Sequence, residues 1–160
     1  MKNKTKIFAL LLIILTLAAC RYDEGPMLSF RTVENRVAQD FELVEFTKDG
    51  VDMTQELTDS VGKNWSFLTS YQASPLDHNL KIYPDTSLPN VGYFDISSNK
   101  KNIEIMIYGC IYGYSYVGIE PFKSNISTIW KIERLTKDEM WLSCTYNDAD
   151  YYLKLEADED

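Results

Sequence analysis

Alternation constrains this chain more than any other feature. In Asn102–Tyr108, Ile103, Ile105 and Ile107 share one parity while Asn102 and Glu104 take the other. Successive side chains of a strand point to opposite faces, so this segment has one apolar face and one wet face. Met140, Leu142 and Cys144 repeat the pattern, as do Tyr151, Leu153 and Leu155, and Trp130 shares a parity with Ile132. From Gln39 onward eight runs rich in aromatic and β-branched residues read as strands: Gln39–Thr47, Trp65–Tyr71, Asn79–Tyr83, Val91–Ser97, Asn102–Tyr108, Ser127–Leu135, Met140–Tyr146 and Tyr151–Glu156. Polar turns separate several of them, at Lys48-Asp49-Gly50 and at residues 98–101, 136–139 and 147–150. Thr54–Val61 reads as a short helix capped by Thr54. A sheet with one apolar face must cover it by closing on itself or by packing on another sheet. The expectation is an all-β domain over residues 37–157, an eight-stranded antiparallel up-and-down barrel or half-open sandwich, with residues 158–160 as an acidic tail.

The first residues follow a different logic. Lys2, Lys4 and Lys6 precede an apolar run from Ile7 to Leu17, broken only by Thr16. Charge followed by a short hydrophobic run is the pattern of an export signal, and a membrane-spanning helix needs roughly 20 apolar residues. The run ends in Leu17-Ala18-Ala19-Cys20, which resembles the lipobox of bacterial lipoproteins. That resemblance implies removal of residues 1–19 and lipidation of Cys20. A single acyl chain binds membranes only marginally, whereas several anchor a protein stably. The expected location is the outer membrane of a Gram-negative bacterium, on its periplasmic or its outer face, with the lipid anchor as the membrane partner. Residues 20–36 read as a polar tether, in which Asp23 and Glu24 resemble the acidic surface-export signals of Bacteroidota lipoproteins.

The formal charge of −8 becomes −11 once residues 1–19, with three lysines and no acid, are set aside. Such an acidic surface repels phosphate backbones and disfavours nucleic acid as a partner.

Further stretches resemble the lipocalin-like lipoproteins of Bacteroidota. They are Gly25–Arg31, Arg36–Leu43 leading to Asp49-Gly50-Val51-Asp52, Trp130–Thr136, and Met140-Trp141-Leu142-Ser143. The family pattern is Arg-Leu-x-Gly-x-Trp at the first strand, then Trp-x-Ile-x-x-Leu followed by Leu-x-Leu. The likeness covers both ends of the expected mature chain and not its middle. Gln39 stands in place of the family's glycine and Phe41 in place of a tryptophan that packs across the barrel bottom. The resemblance implies a barrel; it does not imply a ligand, because a fold does not fix a function.

Reactive groups are sparse. His78 is the only histidine, in a polar loop with no second histidine or metal-spaced cysteine beside it, and reads as a solvated side chain. No phosphate loop or calcium-loop spacing occurs, and no nucleophile motif accompanies His78. We therefore expect a non-enzyme with no catalytic residue, metal or cofactor. Export makes a disulfide between Cys110 and Cys144 conceivable. Parity opposes it: Cys144 points inward, Cys110 shares the parity of Glu104, and another strand separates their strands.

Two binding surfaces are legible. Trp65, Phe67 and Trp130 are the inward aromatics expected to line a pocket for a small apolar ligand. Tyr108, Tyr112, Tyr114 and Tyr116 share even parity, so a continuous strand would set all four on the face opposite the isoleucines. A tyrosine face suits a glycan or protein partner, since each ring joins an apolar plane to a hydroxyl. Asp59-Ser60-Val61 also resembles the short acceptor motif for O-glycosylation of exported Bacteroidota proteins.

Overall fold

The computed structural model describes residues 31–69, 78–84, 88–110 and 116–158. One antiparallel sheet closes on itself. Its strands are β1 (Asp40–Lys48), β2 (Val51–Asp52), β3 (Asn64–Thr69), β4 (His78–Tyr83), β5 (Asn90–Ile96), β6 (Asn102–Cys110), β7 (Ser127–Leu135), β8 (Glu139–Tyr146) and β9 (Ala149–Ala157). Each from β3 onward pairs with its sequence neighbour, and β1 pairs with both β3 and β9. The closing ladder runs from Phe41 opposite Ala157 to Lys48 opposite Tyr151. β2 is a two-residue spur on β1, which leaves an eight-stranded barrel as expected, closed rather than half-open.

The turns follow local chemistry. Asp49 and Gly50 between β1 and β2 have φ of 51° and 77°, and Asn147 and Asp148 between β8 and β9 have 50° and 60°. Two-residue hairpin turns of this kind take positive φ at both central positions, which Asn, Asp and Gly tolerate best. At the β5–β6 bulge, Val91 opposes Gly109 while Gly92 opposes Ile107, and Gly109 has a φ of 105°. A Cβ at Gly92 would lie 2.3 Å from the Met106 carbonyl oxygen, so the strands approach closely only because that side chain is absent.

Parity holds through the barrel wall. Ile103, Ile105, Ile107, Met140, Leu142, Leu153 and Leu155 are fully buried, and Tyr151 and Ile132 nearly so. Closure turns one face of every strand inward and removes the free sheet edges.

The chain departs from expectation at two places before β3. The tether expected through Arg36 ends sooner, because Val33–Val37 forms a short helix, α1, with Val33, Arg36 and Val37 buried. Thr32 caps it by accepting from the Asn35 amide. The Arg36 guanidinium donates to the Leu135 carbonyl at 2.7 Å and ties α1 to the lower end of the barrel. Phe41 meets Phe67 edge-on at 5.8 Å. The second helix, α2, spans Thr54–Ser60, but Met53 is its N-cap and Thr54 does not cap it. The Thr54 hydroxyl instead donates to Asp52 and accepts from the Phe46 amide, so Asp52 receives both the amide and the hydroxyl of Thr54.

Candidate functional site

The upper end of the barrel carries the β1–β2 hairpin, α2, and the β4–β5, β6–β7 and β8–β9 connections. Inward aromatics from separate strands meet below it. Trp65 and Phe67 on β3 and Trp130 on β7 are at most 1 % exposed, and all three face the interior as expected. Trp65 stacks on Phe67 at 6.4 Å, and Phe67 meets Phe94 edge-on at 5.2 Å. Both indole N–H groups are satisfied: Trp65 donates to the Gly62 carbonyl at 3.1 Å and Trp130 to the Thr128 hydroxyl at 3.0 Å. The space between them therefore presents apolar ring faces and no unmet donor.

Phe122 fills that space. It belongs to no strand; it lies in the long connection between β6 and β7, yet is 1 % exposed. Its ring lies 5.2 Å from Trp130 with 15° between the planes, meets Trp65 edge-on at 5.4 Å, and leans on Phe46 at 5.8 Å. The described part of the connection is braced largely by itself. Val117 N donates to Ser124 Oγ, Ser124 N to the Val117 carbonyl, and Ile126 N to the Lys123 carbonyl. One backbone bond, from Asn125 N to the Ile107 carbonyl, ties it to β6.

Above the ring, Glu120 binds the connection to the rim. Its carboxylate accepts from Asn147 Nδ2 at 3.2 Å and from the Tyr151 hydroxyl at 3.4 Å, and lies 3.7 Å from Lys48 Nζ. Lys123 of the same connection donates to it at 2.7 Å. The hydrogen bond from Lys123, then that from Asn147, holds the Glu120 carboxyl below its ordinary range. Lys48 is raised, first by its hydrogen bond with Tyr151 and also by the charge of Glu120. Lys48, Asn147 and Tyr151 stand on β1, the β8–β9 turn and β9, so an ammonium and two hydrogen-bond donors of the barrel converge on one carboxylate carried by a loop.

None of Phe122, Glu120, Lys48, Asn147 or Tyr151 was legible as a site residue. The one available signal was an aromatic residue, Phe122, in a connection too long for a hairpin turn.

The tyrosine series divides. Tyr108 stands on β6 and Tyr116 on no strand, so no single strand carries all four rings. Tyr108 is 48 % exposed on the outer face and Tyr116, past the strand, is 67 % exposed. Tyr112 and Tyr114 lie outside the described residues. Tyr83 and Ile129 add exposed apolar surface to the outer faces of β4 and β7.

Cys110 and Cys144 are both free thiols. Burial, with a smaller contribution from Asp150, pushes Cys144 up to about 12. The backbone of His78 opens β4 opposite Thr69, rather than lying in the preceding loop. Among the described residues, no group of three or more His, Cys, Asp or Glu could hold a metal ion. An outer groove of about 540 Å³ lined by Glu42, Glu139 and Glu156 is acidic, but lysines 63 and 154 pair with those carboxylates.

No protein-family model, no curated protein and no solved structure matches the chain.

Proposed function

We propose that the chain is an exported, lipid-anchored and non-catalytic binding protein that holds a small apolar molecule in the upper barrel, among Trp65, Phe67 and Trp130. One observation carries this reading: the aromatic wall is completed by Phe122, a ring from a loop rather than from a strand. Strand-borne rings cannot leave without breaking ladders, whereas a loop ring can withdraw while the barrel stays closed. The vacated space would be enclosed, apolar and bounded by flat rings, which suits a small hydrophobic ligand. Titration of the purified protein with a neutral apolar fluorophore tests it. Saturable binding that quenches tryptophan emission, and that weakens on Trp130→Ala, is the expected result. A wild-type protein that binds no such probe, while Trp130→Ala stays folded and equally inert, would refute it.

Anchoring rests on Leu17-Ala18-Ala19-Cys20. Cys20 lies well before Val33, the first buried residue among those described, so the packing of the described domain does not use its thiol. Cys20→Ser should abolish fatty-acid labelling and membrane retention without changing the melting temperature of the domain. Continued labelling of that variant would exclude Cys20 as the lipidation site.

A second reading is favoured by the exposure of Tyr108 and Tyr116: an outer aromatic face that binds a glycan or protein partner. Replacing both tyrosines with alanine should abolish capture on a glycan array without touching the interior. Unchanged capture would dismiss this face.

A further inference from the structure

The Glu120–Phe122 segment satisfies two complementary features of the barrel mouth at once. Phe122 puts a flat ring against Trp130 and Trp65, where both indole N–H groups are already used and only apolar surface is on offer. Two residues earlier, Glu120 puts a carboxylate among Lys48 Nζ, Asn147 Nδ2 and the Tyr151 hydroxyl. These three groups sit on the wall and stay there if the connection moves. Lys123, the fourth partner of Glu120, travels with the loop. A withdrawn connection would thus leave a ring-sized apolar slot and, at its rim, a cation with two neutral donors stripped of the carboxylate they now share, Asp49 being the other acid whose charge reaches Lys48. Donors converging on one carboxylate recognise an anion rather than a neutral oxygen.

We infer that Glu120 and Phe122 are an internal surrogate for the ligand, and that the ligand is an aromatic acid: a planar apolar ring bearing one carboxylate or equivalent anion. This rests on the barrel-binding reading above and adds the ligand's chemical class and the device that it must displace. The ring replaces Phe122, and the anion replaces Glu120 on Lys48, Asn147 and Tyr151. The loop and the ligand compete, so the free protein keeps its mouth shut and its rim neutralised. Most backbone bonds of its described part are internal, so moving it outward gives up the Asn125–Ile107 bond, the contacts of Glu120 and Phe122, and the burial of Val117.

The test compares 2-naphthoate with 2-naphthylmethanol by calorimetry, using the full chain in phospholipid nanodiscs and empty nanodiscs as the blank. Wild type should bind naphthoate, and Glu120→Gln, which loosens the competing loop without opening a cavity, should tighten it about tenfold. Phe122→Leu should also tighten it, and serves where Phe122→Ala does not fold. In the Glu120→Gln background, Lys48→Met should cost naphthoate about tenfold and leave naphthylmethanol unchanged. Equal affinities for the two ligands, indifferent to Lys48, would overturn the aromatic-acid assignment and leave the apolar pocket standing. Naphthoate binding that Glu120→Gln does not tighten would overturn the surrogate. Absence of binding by either ligand to wild type and to every folded variant would remove both the surrogate and the pocket.

Discussion

The ring of Phe122 lies within 15° of parallel to the indole of Trp130, with centroids 5.2 Å apart, although one side chain comes from a loop and the other from a strand. Trp130 is held in a ladder opposite Ile103, and Trp65 in two, opposite Phe41 and Ile82. Phe122 is held by its faces and by Glu120, and this difference can be measured.

Phe67 is fixed on β3 with Phe41 and Phe94 edge-on to it, so Phe67→Ala should leave a cavity that the wall cannot close. The expected cost is about 3–5 kcal/mol. Phe122→Ala removes a ring of the same size, but the connection can settle into the space, and its cost should be smaller by about 1 kcal/mol or more. Urea denaturation of both variants checks the order. A Phe122 variant as damaged as the Phe67 variant would mean that the connection is as rigid as the wall.

The hold on the connection should weaken in acid. The Glu120 pKa is depressed in the fold, by the hydrogen bonds of Lys123 and then of Asn147. A carboxylate with a lowered folded pKa stabilises the fold above its unfolded value of about 4.3, and that stabilisation is lost as pH falls through the folded value. Tryptophan emission should therefore be steady from neutral pH downward and change below about pH 4 in wild type. Glu120→Gln, which has no proton to gain there, should lack this step. Lys48 has the opposite sign: its pKa is raised, so its contribution is complete below about 10.4 and declines as pH rises beyond that.

Gly92→Ala should damage the barrel more than an ordinary surface change. The added methyl would meet the Met106 carbonyl oxygen at 2.3 Å, and neither strand can yield without breaking the β5–β6 ladder. Overpacking of this kind costs about 1–3 kcal/mol or more. Gly50→Ala is the control: nothing lies within 4 Å of its Cβ, and only its φ of 77° opposes the change. Thermal melts should place Gly92→Ala well below Gly50→Ala.

The two thiols should stay reduced and unequal. With its thiol near 12, Cys144 has almost no thiolate at pH 8. Native alkylation by iodoacetamide should be about a thousandfold slower at Cys144 than in the unfolded chain. Peptide mapping after a timed pulse reads this directly. Rapid labelling of Cys144 in folded protein, or a Cys110–Cys144 bridge under oxidation, would contradict the arrangement.

The alternation of Ile103, Ile105 and Ile107, and of Leu153 and Leu155, was enough by itself to determine strands with one buried face. The period of a strand is two, and burial selects one parity. The same rule placed Trp65, Phe67 and Trp130 inside and Tyr108 outside, and the Asn147-Asp148 and Asp49-Gly50 pairs marked hairpins through their tolerance of positive φ. The rule ends with the strand. It could not follow Tyr116, which lies in no strand, because a parity carried outside a strand has no sheet to refer to. It missed α1, where Thr32 supplies the cap and burial of Val33 and Val37 against the barrel, rather than any long apolar period, stabilises five helical residues.

Only the tertiary structure decided where Phe122 and Glu120 go. A loop residue has no period from which its direction can be read, and its place depends on closure of β1 onto β9. That pairing brings Lys48 and Tyr151 to one rim, with Asn147 in the adjoining turn, from positions about a hundred residues apart in the chain. The convergence of those donors on Glu120 is a property of the closed barrel, because none of the contacts that create it is local in sequence.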